Sequence, residues 1–246
     1  MISKRSLLYL FVPAIFLFAC QPAKRTPLPP TETATPSPEM TATLEPTVTT
    51  VMTVTTLPPA LRDFTETFDT PSPYWSAFGT NHIDPDVQLQ SGFLVFNLTQ
   101  SNDWADTIYI GQSYQDVRVD AQVEVRAGND GAVGIVCRYS QISGWYEFNI
   151  YADQTYMIMY GQWLSPGIAR YTPLRRFNSE KIKTGANQIG LVCQGNTLTP
   201  YINNVRMRVY EDNKVGLKDG NIGLTASSFT DVPFVAAFDW AKVSEP

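Results

Sequence analysis

The chain has 246 residues, a formal charge of −5 and a single histidine, and 43% of its residues are hydrophobic. Its lysines and arginines are scattered through an acidic whole, so the concentrated basic surface that a phosphate backbone needs is missing, and nucleic acid is not an expected partner. One histidine beside 12 Tyr and 5 Trp argues against histidine-based catalysis and for a β-rich domain.

The chain opens with Lys4 and Arg5, then an apolar run that ends at Leu17-Phe18-Ala19-Cys20. The run is about 13 residues, too short for a helix to cross a hydrocarbon core but suited to a signal peptide. Its last four residues resemble the bacterial lipobox, although Phe18 is bulky for its position. The resemblance implies removal of residues 1–19 and acylation of the Cys20 thiol. Two or more acyl chains then hold a protein stably at a membrane, where one would not. The expected location is therefore extracytoplasmic and lipid-anchored, at the cell membrane or the outer membrane. Gln21 does not resemble the aspartate that commonly retains lipoproteins at the inner membrane.

Residues 21–60 contain 12 Thr and 9 Pro. Proline removes amide donors and threonine offers little to bury, so this segment is predicted to be an extended tether that reaches on the order of 120 Å when fully drawn out. Within it, residues 48–57, with Val48, Val51 and Val54 among threonines, read as a greasier part of the tether.

From Phe64 onward the pattern changes to short alternating runs broken by Gly, Asn, Asp and Pro. Strands are predicted at 64–68, 87–89, 93–97, 107–110, 117–126, 132–139, 145–150, 155–160, 188–194, 197–202, 205–210, 221–226 and 234–240. Residues 117–126 are the clearest, apolar at each odd position and polar at each even one, as a strand with one buried and one wet face requires. Asn203-Asn204 suits a two-residue hairpin turn because asparagine tolerates positive φ. No helical period is sustained. Residues 61–246 are therefore expected to form one all-β, two-sheet antiparallel sandwich. Alternation also turns Cys137 and Cys193 inward, and an oxidising compartment favours a disulfide between them.

The order of Phe64-x-x-x-Phe68-Asp69, Tyr74-Trp75, Gly134-Ile135-Val136-Cys137-Arg138-Tyr139, Trp145-Tyr146-Glu147-Phe148-Asn149-Ile150, Gly185-x-Asn187-x-Ile189, Leu198-x-x-Tyr201-Ile202-Asn203-Asn204 and Gly220-Asn221-Ile222-Gly223-Leu224 resembles the concanavalin A-like, or laminin-G-like, jelly-roll domains of bacterial envelope lipoproteins. That fold hosts sugar binders, hydrolases and interaction modules, so the resemblance speaks to fold more than to function. It also raises a Ca²⁺ site that ties the terminal strands through Asp69 and Asp239, although two carboxylates fall short of the 6–8 oxygens that Ca²⁺ prefers.

Retaining glycosidases of this broad fold carry E-x-D-x-x-E or E-x-D-x-E on one strand, and no such run is present. Asp103 and Asp106, on either side of Trp104, read as loop acids, while Asp120 and Glu124 read as an outer wet face. His82 has no Ser or Cys partner by spacing. A binding surface is easier to draw. If Tyr146, Phe148 and Ile150 face the core, then Trp145, Glu147 and Asn149 face away, with Arg138 on the neighbouring strand. Trp104 and Trp163 would add to this surface from loops. An aromatic platform edged by hydrogen-bonding groups suits the face of a sugar ring. The leading expectation is a non-catalytic glycan-binding lipoprotein. A structural or protein-interaction lipoprotein of the envelope and a sugar-active hydrolase stand as alternatives.

Overall fold

A computed structural model describes residues 59–80 and 84–246. The leader, Cys20, the tether up to residue 58 and His82 lie outside the described residues. In chain order the strands are β1 (Phe64–Glu66), β2 (Trp75–Gly79), β3 (Val87–Gln90), β4 (Phe93–Leu98), β5 (Asp103–Tyr114), β6 (Val117–Ala127), β7 (Gly131–Ser140) and β8 (Gly144–Tyr151). They continue with β9 (Thr155–Ser165), β10 (Ile168–Asn178), β11 (Ala186–Gln194), β12 (Thr197–Ile202), β13 (Val205–Arg206), β14 (Tyr210–Glu211), β15 (Gly220–Ser228) and β16 (Phe234–Ser244).

These strands form two antiparallel sheets. One runs β13-β12-β11-β6-β16-β4-β3, with β1 on β16 and β14 on β12; the other runs β10-β9-β8-β7-β15-β5-β2. The protein is an all-β jelly-roll sandwich. Alternation decides what lies between the sheets: Val117, Val119, Ala121 and Val123 of β6 meet Val133, Ile135, Tyr146, Phe148 and Ile158 from the second sheet. The even residues of β6 point outward, where Arg118 pairs with Asp120 at 2.6 Å and lies over the Tyr201 ring. Cys137 and Cys193 form a disulfide between the sheets, and Asn203 and Asn204 both take positive φ in the β12–β13 turn.

Three local readings are revised. The strand predicted at 107–110 begins at Asp103, so Asp103, Trp104 and Asp106 are strand residues rather than loop residues. β9 continues to Ser165, which places Trp163 on a strand. β2 and β10, both at sheet edges, were not foreseen; β10 carries Pro173 and exposed arginines, which mask its period.

Candidate functional site

The face of the second sheet that points away from the core carries the unusual chemistry. Successive strands present to it Phe78 (β2) and Thr80 just after it, Trp104, Asp106 and Ile108 (β5), Thr225 (β15), Gly134, Val136 and Tyr139 (β7), Trp145, Glu147 and Asn149 (β8), Trp163 (β9) and Tyr171 (β10). On a flat sheet the first and last of these would be far apart. β2 and β9 have four strands between them, about 24 Å at normal strand spacing. Yet the Phe78 and Trp163 rings lie 5.3 Å apart, and Tyr171 of β10 stacks on Trp104 of β5 at 5.1 Å. The sheet rolls towards this face, and aromatic rings bridge it twice.

Beneath that roof the predicted platform is sealed. Trp145 and Glu147 are fully buried and Asn149 is nearly so. The expectation that they form an open ligand surface is corrected: alternation set the face correctly, but rings from distant strands cover it. Trp145 fits because Gly161, its neighbour on β9, has no Cβ to collide with the indole, and Gly134 leaves room for Asn149 in the same way. The Trp145 indole N–H donates to Glu147 Oε1 at 2.6 Å, and Asn149 Nδ2 donates to Glu147 Oε2 at 2.9 Å.

Arg138 does not join this group. A bulge follows Cys137, and Arg138 takes φ of 54° there. The alternation shifts by one, which puts Tyr139 on the rolled face. The buried guanidinium instead donates to the carbonyls of Gln115 and Leu217. Arg138 therefore clamps two loops. Nearby, the Asp212 carboxylate accepts from the Tyr146 hydroxyl and from the amides of Lys214, Val215 and Gly216. Burial would raise its pKa, but these donors outweigh it and hold the group at about 2.

The rolled face also brings in Asp106, an acid that was set aside when the sequence was read alone. Asp106 is fully buried, and neither carboxylate oxygen has a hydrogen-bond partner. Burial pushes its pKa well above the usual carboxylate range, and the charge of Glu147 adds to this. Thr225 and Tyr171 lie near enough to temper the shift without reaching hydrogen-bond geometry. Burial likewise pushes Glu147 up to about 7 against the pull of its Trp145 and Asn149 hydrogen bonds. Asn149 Oδ1, Trp104 Nε1, Trp163 Nε1, the Tyr171 hydroxyl and Thr80 Oγ1 are also buried without partners. Natural interiors leave few such atoms, and here all but the core-facing Thr107 Oγ1 gather on one face. Trp104, Trp163, Tyr171 and Phe78 are half-buried; the first three turn their polar atoms inward, so what they show to solvent is largely ring carbon.

Spacing alone could not join Asp106 to Glu147, because β15 and β7 separate their strands. A usable signal was present in Trp104-x-Asp106-x-Ile108, which extends the predicted strand backwards with period two.

Asp69 accepts from Thr67 Oγ1 at 2.7 Å and Asp239 accepts from Gln122 Nε2 at 2.9 Å. Among the described residues, no group of three or more Asp, Glu, His or Cys side chains is placed to hold a metal.

The fold is shared with several solved structures. A protein with a galectin-like fold from Bacillus subtilis is 11% identical with a TM-score of 0.54, covering 74% of this chain and 94% of that one. The carbohydrate binding module CBM66 from Bacillus subtilis is 13% identical with a TM-score of 0.50, covering 68% and 92%. A Bacillus licheniformis β-glucanase is 13% identical with a TM-score of 0.51, covering 75% and 98%. Identities this low establish the fold alone. No protein-family model matches the chain, and no curated protein sequence does.

Proposed function

We propose that this protein is a lipid-anchored, extracytoplasmic binding module for a glycan and that it does not catalyse. The anchor is the acylated Cys20, and residues 21–60 hold the domain away from the bilayer. The observation that carries the glycan reading is the aromatic band across the rolled face: half-buried Trp104, Tyr171, Trp163 and Phe78 present ring carbon outward, the surface that packs against the apolar face of a sugar ring. The fold is one that carbohydrate-binding modules and glucanases also use.

The band moves the test away from Trp145. Because Trp145 is a fully buried floor, its removal would disturb packing before it reported on a ligand. The informative variants are Trp104→Ala and Trp163→Ala. With the fold intact by circular dichroism, each should lower retention on an insoluble polysaccharide panel by about tenfold, in line with the 1–2 kcal/mol that an aromatic contact supplies. Unchanged retention across a broad panel would overturn the reading.

The hydrolase alternative has a specific basis in Asp106 and Glu147, two carboxyl groups close enough to perturb each other. Both are sealed from solvent, whereas glycoside hydrolysis needs its two acids on either side of a bound substrate. Sugar release that is abolished by Glu147→Gln would favour this alternative over the binding module.

A further inference from the structure

The large exposed hydrophobic residues are not spread evenly. Leu61, Ile110, Ile142, Leu164 and Ile168 all lie at one end of the sandwich, and Ile142, at the tip of the β7–β8 turn, is 92% exposed. Strand registers tie this end together. Tyr109, beside Ile110, donates its hydroxyl to the Leu61 carbonyl, and the Tyr114 hydroxyl donates to the Arg62 carbonyl. β15 pairs Gly220 with Tyr114 of β5 and Asn221 with Tyr139 of β7, so the 109–114 segment and the 140–144 turn share an end. Trp145 pairs with Gly161, and Tyr160 donates to the Ser143 carbonyl, which sets the β9–β10 hairpin tip with Leu164 and Ile168 beside that turn. Exposed hydrophobics scattered singly are ordinary; an accumulation at one end marks an interaction surface.

Two observations choose the occupant. The first is where the chain enters: residues 59–62 pack against β5 at this end, with Ala60 beside Gly111 and its carbonyl accepting from Gln112. The segment bearing Cys20 therefore joins the domain next to the patch. The second is charge. In a chain of net −5, the two tips that carry Ile142, Leu164 and Ile168, residues 140–144 and 161–171, contain no acid and one charged side chain, Arg170; the acids of this end, Asp63, Asp116 and Asp219, lie on the turns around β5, beside Arg62 and Lys218. Apolar loop tips that carry one cation and no acid suit the boundary between headgroups and acyl chains, whereas acidic tips would be repelled by anionic lipid.

We propose that this end of the domain docks on a lipid bilayer, with Ile142, Leu164 and Ile168 entering the interface. The tether would then allow two states: a domain resting on the membrane and a domain extended from it. The choice of a bilayer as occupant rests on the lipid-anchor reading, and the experiment separates the two. The full chain carries an environment-sensitive fluorophore on Ile142→Cys or, as a control, on Val205→Cys. Val205 is also exposed, but it lies at the opposite end, where β12 turns into β13 beside Gln188. Each protein is mixed with phosphatidylcholine–phosphatidylglycerol vesicles that contain brominated acyl chains, and the mass of the amino-terminal peptide is measured in parallel. Blue-shifted emission and several-fold stronger quenching at position 142 than at 205 is the expected result. Equal quenching at both sites, or none at 142, overturns the docking. So does a shift at 142 that appears without vesicles and rises with protein concentration, which would place a second copy on the patch. A chain without acyl groups that is still quenched at 142 removes the anchor and keeps the docking; an acylated chain unquenched at 142 does the reverse.

Discussion

The two faces of the second sheet are built from the same strands and both bury most of their side chains, yet they differ in chemistry. The face towards the first sheet carries Val133, Ile135, Tyr146, Phe148, Ile150 and Ile158; the hydroxyls of Tyr146, Tyr109 and Tyr114 are matched by Asp212 and by the Leu61 and Arg62 carbonyls, and among the described residues Thr107 Oγ1 is the one buried side-chain atom of this face left without a partner. The rolled face packs Ile108, Val136, Tyr139 and Trp145 around Asp106, Glu147 and Asn149 and leaves several polar atoms unmatched. Burial by itself therefore does not show that a face is optimised for packing. Whether the buried polar atoms are satisfied does, because an unmatched buried group destabilises the fold and persists only where something offsets it.

Substitutions should break this comparison in opposite directions. Phe148→Ala on the core side should destabilise by about 3–5 kcal/mol, as removal of a fully buried aromatic does, measured from the denaturant midpoint. Removing the disulfide with Cys137→Ala and Cys193→Ala, whose separation is 56 residues, should cost up to about 4 kcal/mol in the chain-entropy account and leave glycan retention unchanged once the protein is folded. Asp106→Asn, on the rolled face, should instead stabilise by roughly 1–2 kcal/mol at neutral pH, since it removes a buried carboxylate that has no donor. A loss of stability equal to that of Phe148→Ala would show that both faces are optimised alike.

A further effect is a slope with pH. Burial raises the folded pKa of Glu147 from 4.5 to about 7, so the native state keeps a proton that the unfolded chain releases. That contribution is complete below about pH 4.5 and is lost as pH rises through about 7. The melting temperature should therefore fall between mildly acid and mildly alkaline conditions, and Glu147→Gln should flatten the decline. Asp212, held at about 2, acts in the other direction and only under stronger acid. A wild-type melting temperature that is flat over the same range would show that the rolled face is better solvated than its packing indicates.

The sandwich was legible in the sequence because one side of each strand must find apolar partners, and a two-residue period records that need locally. The same period turned Cys137 and Cys193 inward, and the Asn203-Asn204 turn follows from an asparagine property that needs no tertiary context. It also put Trp145, Glu147 and Asn149 on one face. What it could not report was what covers that face. Only the rolled sheet brings Phe78 to Trp163 and Tyr171 to Trp104, seals Glu147 and sets it near Asp106 from across two intervening strands. Only the bulge at Arg138 turns that side chain towards the loops. Alternation is a property of one strand, whereas exposure belongs to everything that reaches over it, and no local pattern encodes the contacts between strands distant in sequence.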